Sequence, residues 1–226
     1  MSAEGEYATS LTPIRTSTKR EDVLSAIRRA LLNGEFKPGQ RVKETPLANA
    51  LGVSRPTVRD AITQLVHEGA LIQVPYKGIT VAQPTPRDVL DVADVRVVLE
   101  TFAALHVAAH RDGEGLTNLR EALQDHLDAL EEGDAAAADE THLALHRTLW
   151  EASENQMMMR VWPLVESQIH MVMTFDQSTL SDPKRDAQLH KRLVDVIAGG
   201  SEAEISEEVR EHILDSANLV VTKMDH

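Results

Sequence analysis

Apolar positions recur at intervals of three and four along most of this chain, and one short stretch breaks the rule. Val23, Ile27, Ala30 and Leu31 fall on one helical face, and Asn33-Gly34 supplies a stop. Lys37-Pro38-Gly39-Gln40 predicts a turn, followed by a short helix around 44–51 with Leu47, Ala48 and Leu51 inward and Gly52 at its end. Ser54 is placed to cap the next helix, its hydroxyl accepting from an otherwise free amide. Pro56 fits the first turn, where no amide is needed. Ala61, Ile62, Leu65 and Val66 then give an apolar face up to Gly69. Beyond it, Leu71–Val74 and Ile79–Ala82, joined by Pro75-Tyr76-Lys77-Gly78, alternate as the strands of a small β-hairpin. Two helices about a short turn, followed by a hairpin, predict a winged helix-turn-helix.

After the hairpin, Pro84 and Pro86 disfavour helix at the residue before each and mark a linker. Beyond Pro86 the strand pattern vanishes, and helices are predicted near 87–111, 115–132, 134–152, 155–176, 183–199 and 201–223. Gly113, Gly115, Gly133, Pro183 and Gly199-Gly200 punctuate them. Aromatic residues are only 3% of the chain, so this core must be built from Leu, Val, Ala, Ile and Met, which suits a helical bundle. The expected fold is mostly α, an N-terminal winged helix-turn-helix followed by an all-α bundle. The expected divisions are a flexible tail at 1–17, a DNA-binding domain at 18–82, a linker at 83–86 and a helical effector-binding and dimerisation domain at 87–226.

Composition narrows the classes of function. No apolar run reaches the roughly 18–20 residues of a membrane span, and the first twenty residues lack the apolar stretch of a secretion signal. A cytoplasmic protein without a membrane partner is expected. The absence of cysteine excludes disulfides, thiolate metal sites and a cysteine nucleophile. The net charge of -13 hides a division. Residues 1–80 carry 11 Lys and Arg against 8 Asp and Glu, whereas residues 81–226 carry 12 against 28. An acidic majority repels nucleic acid, so DNA contact must come from the N-terminal segment. In a helix-turn-helix the second helix enters the major groove with its N-terminal residues toward the bases. Ser54, Arg55, Pro56 and Thr57 occupy that end, and Arg59 lies one turn along. Arginine can donate two hydrogen bonds to guanine, and Lys77 at the hairpin tip can reach an adjacent phosphate or the minor groove.

These residues resemble a known family. Lys37-Pro38-Gly39, Leu47-Ala48, Gly52-Val53-Ser54-Arg55, Val58-Arg59, Leu65, Glu68-Gly69 and Gly78 together look like the DNA-binding domain of the GntR family of bacterial transcription regulators. The resemblance implies that Ser54, Arg55, Pro56, Thr57, Arg59, Lys77 and Gly78 contact double-stranded operator DNA. There are departures. Thr45 stands where arginine is frequent, and the proline usual one residue later stands at Pro56, so the operator sequence does not carry over.

The acidic half holds most of the ten histidines. His142 and His146 are spaced i, i+4, on one helix face with imidazoles able to share an ion, and His190 and His212 lie on two later helices. Bundles build cofactor sites from facing helices, so these four can converge. His106 and His110 have the same spacing, and geometry alone does not choose between the pairs. His67, His126, His170 and His226 are read as packed or solvated. Resemblance chooses. The segments around Arg96 and Leu99-Glu100, "HLALHRTLWEASEN", "LHKRLVDVIAGG" and "EVREHI" look like the FCD ligand-sensing domain of the FadR-like branch of the same family. Many such domains hold a divalent metal through one aspartate and three histidines. His146, His190 and His212 match the histidines, and His142 stands where aspartate is usual.

A site of imidazoles without carboxylate favours zinc or nickel over manganese or magnesium, and leaves the ion's charge unbalanced. It should therefore draw a small organic-acid effector, with Arg96 as a second contact. The function expected is a homodimeric repressor controlled by that carboxylate. A direct metal-responsive regulator is the alternative. A metal-dependent hydrolase is remote: the zinc-protease motif needs glutamate directly after its first histidine, and Leu143 stands there.

Overall fold

A computed structural model describes residues 17–32, 35–175 and 182–224. The Asn33-Gly34 stop, nearly all of the tail expected at 1–17, and His226 lie outside the described residues, as does the side chain of His170. The order is α1 (Ser17–Leu32), α2 (Glu44–Leu51), α3 (Arg55–His67), β1 (Leu71–Val74), β2 (Gly78–Val81), and six helices. These are α4 (Pro86–Ala109), α5 (Glu114–Glu132), α6 (Ala135–Glu151), α7 (Gln156–Phe175), α8 (Pro183–Gly199) and α9 (Glu202–Met224). The fold is the expected winged helix-turn-helix followed by an α-helical bundle.

Local chemistry sets these boundaries. Gly52 ends α2 with φ 64°, a left-handed conformation that opens the tight turn into α3 at little steric cost. Ser54 caps α3, accepting from the Thr57 amide, with Pro56 in the first turn. The strands pair antiparallel, Leu71 with Val81 and Val74 with Gly78, and Arg41 bridges to Thr80 on the other edge of β2. Helix α4 starts with a reciprocal capping box between Thr85 and Asp88. It stops short of the predicted 111 because His110 leaves helical geometry and its Nδ1 turns back to the His106 carbonyl at 2.9 Å.

Two separate cores result. Val23, Ile27, Val58, Ala61, Leu65 and Leu71 close the winged helix-turn-helix. Leu119, Leu145, Leu149, Trp150, Trp162, Ile197, Ile205 and Ile213 anchor the bundle, where α4 packs along α9 and α5 along α6. One polar cluster joins them. Glu68, just past α3 and 3% exposed, pairs with Arg28 of α1 at 2.6 Å and accepts from Ser167 of α7 at 3.1 Å. Gln168 of α7 donates to the Glu68 carbonyl at 3.1 Å.

Candidate functional site

Apolar residues on α6, α8 and α9 turn their histidines into the bundle. On α6, Leu145, Leu149 and Trp150 are buried, which turns His142 and His146 toward α8; His190 sits among Leu193, Val194 and Ile197, and His212 beside Val209 and Ile213. Ring centroids are 5.0 Å apart for His142 and His146, 4.6 Å for His142 and His190, 5.4 Å for His146 and His212, and 4.8 Å for His190 and His212. The structure thus brings together all four histidines predicted to share a metal. His106 and His110 stack on each other near the surface and join no metal-ligating group among the described residues.

Within the cluster the donors sort into two sets. His146, His190 and His212 each present a ligand atom within 4.8 Å of the others. His142 groups instead with His190, Asp186 and His126. His126, expected to be packed or solvated, is fully buried on α5, and it also faces this cluster, 4.9 Å from the His190 ring. Asp186 was missed. Its spacing of i, i+4 to His190 was the signal, and its Oδ1 lies 2.7 Å from His190 Nδ1.

Electrostatics prepare these imidazoles as ligands. Burial, with the neighbouring histidines, holds His142 and His212 well below the usual histidine range. Burial lowers His146 to about 4, against the opposing pull of Glu100. All three are neutral near pH 7, the form that binds metal. His146 Nδ1 donates to Glu100 Oε2 at 2.9 Å, so its lone pair is on Nε2, where Arg96 Nη2 stands 3.5 Å away and would have to yield to an ion. Glu100 is itself buried. Burial would raise its pKa, but Arg96 and His146 hold it well below the ordinary carboxylate range. Arg96 Nε donates to Glu100 Oε1 at 2.6 Å. Arg96 Nη2 stands 3.3 Å from His146 Nδ1, whose proton is already directed to Glu100, and donates weakly to Nε2 at 3.5 Å.

Several ring nitrogens are left over. His142 Nδ1, His190 Nε2, His212 Nδ1 and His126 Nε2 are buried with no hydrogen-bond partner. A buried orphan of this kind costs about 1–3 kcal/mol, and a cation would satisfy it. Neutral imidazoles whose ligand atoms lie this close together fit a divalent borderline metal. Beside them a cavity of about 120 Å³ is lined by Arg96, the four predicted histidines and Ile169 of α7. This is below the ~300 Å³ of drug-sized pockets, so it suits a small ligand.

At the DNA-binding end, Ser54, Arg55, Pro56, Arg59 and Lys77 are exposed, while Thr57 and Gly78 are half-buried. The two arginines are not free. Arg59 donates through Nε and Nη2 to both Glu44 oxygens at 2.8 Å, and Arg55 Nη2 lies 3.5 Å from Glu44 Oε2. Hydrogen bonds from Arg59, chiefly, hold the Glu44 carboxyl below its ordinary range. Glu44 was not foreseen because it lies 15 residues from Arg59 and meets it only through the helix-turn-helix crossing. At the hairpin tip Tyr76 adopts φ 63° and is wholly exposed, another residue that sequence reasoning passed over.

Comparison with known proteins completes the assignment. The family described as "FCD domain" matches residues 91–215, and "Bacterial regulatory proteins, gntR family" matches residues 19–81. The chain is 26% identical over 205 residues to YdhC, an HTH-type transcriptional regulator of Bacillus subtilis (strain 168), covering 88% of each chain. It is 26% identical over 185 residues to a probable D-xylose utilization operon transcriptional repressor of Paenarthrobacter nicotinovorans, covering 80% of this chain and 79% of that one. The solved structure of E. coli McbR/YncC superposes with a TM-score of 0.77 at 18% identity, over 91% of this chain and 98% of that one. With both halves matched in order along one chain, this is a bacterial transcriptional regulator of the GntR family carrying a C-terminal FCD domain.

Proposed function

We propose that the protein is a homodimeric repressor whose hold on operator DNA is set by a small carboxylate bound beside a histidine-held divalent cation. The observation that carries this reading is the set of buried, partnerless imidazole nitrogens opening on a small cavity that also contains Arg96. His146, His190 and His212 would hold the ion, with His142 at their side, and zinc or nickel suits these nitrogen donors. The ion would supply an anchor for an anionic oxygen. Arg96 keeps a charged guanidinium in the cavity while its Nε is engaged by Glu100, so it offers a second contact to the same carboxylate. The apolar wall from Ile169, Val89 and Ala93 limits the effector to a short acid. Repression is the function named for the Paenarthrobacter relative, and pairing two recognition helices on a two-fold operator gives a longer readout than one helix provides. On the DNA side Ser54, Arg55, Pro56, Thr57, Arg59, Lys77 and Gly78 form the contact set, with Glu44 orienting the two arginines.

The test starts by selecting a preferred duplex from a random pool with the full chain. Its affinity is then measured with chelator, with zinc, and with zinc plus citrate, lactate or gluconate in turn. Zinc-dependent weakening by at least one acid supports the reading. A response to zinc alone would favour direct metal sensing. Affinity unmoved by any of these additions would end both.

A further inference from the structure

Six side chains with ligand atoms meet in the bundle, more than one tetrahedral ion can use. We propose that His126, His142, Asp186 and His190 form a second divalent-cation site, separate from the His146–His190–His212 set and sharing His190 with it. The inference goes beyond the effector reading and stands without it.

The surroundings of His126 give the first reason. Its Nδ1 lies 3.1 Å from the Thr141 hydroxyl, which also reaches the Ala137 and Ala138 carbonyls at 2.8 and 3.1 Å. The other nitrogen, Nε2, is buried and stands 3.4 Å from Asp186 Oδ2, too far for a well-made hydrogen bond. An imidazole nitrogen and a carboxylate oxygen thus face each other in the interior. Ligands at about 2.0–2.1 Å from a tetrahedral zinc stand roughly 3.3 Å apart, close to the spacing found here.

The rest of the set agrees. His142 Nδ1 is buried without a partner, His126 is 0% exposed and His190 2%, and the Asp186 side chain is 14% exposed. His190 has two ring nitrogens on different sides. Nδ1 faces Asp186 Oδ1 at 2.7 Å and the Asp186 carbonyl at 3.0 Å, and Nε2 is buried with no partner. With both sites filled His190 would bridge the two ions as an imidazolate, its Nδ1 proton released to solvent, so uptake of the second ion would depend on pH. Asp186 also provides the carboxylate that α6 lacks at His142, one helix away. Three imidazoles and one carboxylate suit zinc. A second cavity is lined by Gly133, Asp134, Asp139 and Pro183 together with His142 and Asp186, without Arg96.

The test is zinc content per full-length chain, by elemental mass spectrometry after saturation and dialysis. The variants are Asp186→Asn, His126→Asn and His212→Asn. Asparagine at 126 keeps a donor for Thr141 and removes only the Nε2 donor. The proposal expects about two zinc ions in the unaltered chain, one lost in Asp186→Asn and in His126→Asn, and the other lost in His212→Asn. A single ion that leaves with Asp186→Asn but stays in His212→Asn still supports the second site and overturns the three-histidine placement. A single ion that leaves only with His212→Asn overturns the second site and spares the three-histidine set. No ion at all overturns both. Should the variants fail to fold, a zinc-soaked crystal of the unaltered protein decides: an anomalous peak between His126 and Asp186 supports the site, and its absence overturns it.

Discussion

Glu100 serves two groups at once, taking the Arg96 guanidinium on one oxygen and the His146 imidazole on the other. Both contacts act on the candidate metal centre, since the second fixes which His146 nitrogen is free to bind. Carboxylate partners of this kind are worth about 10–100-fold in metal affinity. Glu100→Gln should therefore weaken zinc binding by roughly that factor, read by competition against a chromophoric chelator. It should also destabilise the metal-free chain by about 3–5 kcal/mol, because Arg96 would lose its buried counter-charge. Zinc affinity equal to that of the unaltered protein would remove Glu100 from the site. At the DNA end, Arg55→Ala should cost about 1–3 kcal/mol of operator affinity with metal content unchanged, measured by fluorescence anisotropy. Undiminished affinity would dismiss Arg55 as a base reader. At this scale the sequence was legible where partners sit one helical turn apart. His142 and His146 could be paired on paper. Glu100 stands 46 residues from His146, so only the packing of α4 on α6 brings them together.

Helices themselves were legible because their apolar period and caps agree. Asp134 caps α6 by accepting from the Ala136 and Ala137 amides, and Asp182 caps α8 by accepting from Arg185, each next to a sequence breaker. What period cannot show is which helices become neighbours. The contact of α5 with α8 carries His126 to Asp186, and no local pattern announces it. The same packing makes α6 and α9 pH-sensitive. His142, His146 and His212 have folded-state pKa values below the unfolded 6.5, His146 at about 4. Between those limits the unfolded chain binds more protons, so stability rises with pH and is lost as pH falls below 6.5. Asp139, raised to about 6 by burial and by Asp186, acts in the opposite sense between 3.8 and 6. Glu100 and Asp186, both lowered, add to the acid loss only below the ordinary carboxylate range. Glu166 and Glu208, raised less by burial, act with Asp139, and the three histidines outweigh them. The melting temperature of metal-free protein should fall steadily from pH 6.5 toward 4, and a flat profile would contradict the burial of these rings.

At the scale of the whole molecule, a basic winged part and an acidic bundle each close on their own apolar core. Among the described residues, Glu68 is one place where they touch through side chains. It holds Arg28 of α1, accepts from Gln64 of α3 and from Ser167 of α7, and its carbonyl accepts from Gln168. Helix α7 also lines the cavity through Ile169, one residue beyond Gln168. A displacement of α7 would therefore be felt at the end of α3. Gly69 is part of this joint. It sits at φ +78°, a conformation that favours glycine, and a Cβ there would lie 2.4 Å from Gln168 Nε2 and push that side chain off the Glu68 carbonyl. If coupling runs through this joint, Gln168→Ala should leave zinc content and metal-free operator affinity near their original values. The ratio of operator affinities with and without zinc and acid should shrink, by up to the ~1–3 kcal/mol typical of coupling between sites. Glu68→Gln should do the same more strongly, with some loss of stability because Arg28 loses its partner. Both ratios are measured on the selected duplex. If both variants keep the full ratio, the signal travels elsewhere, and the covalent connection between β2 and α4 becomes the route to test.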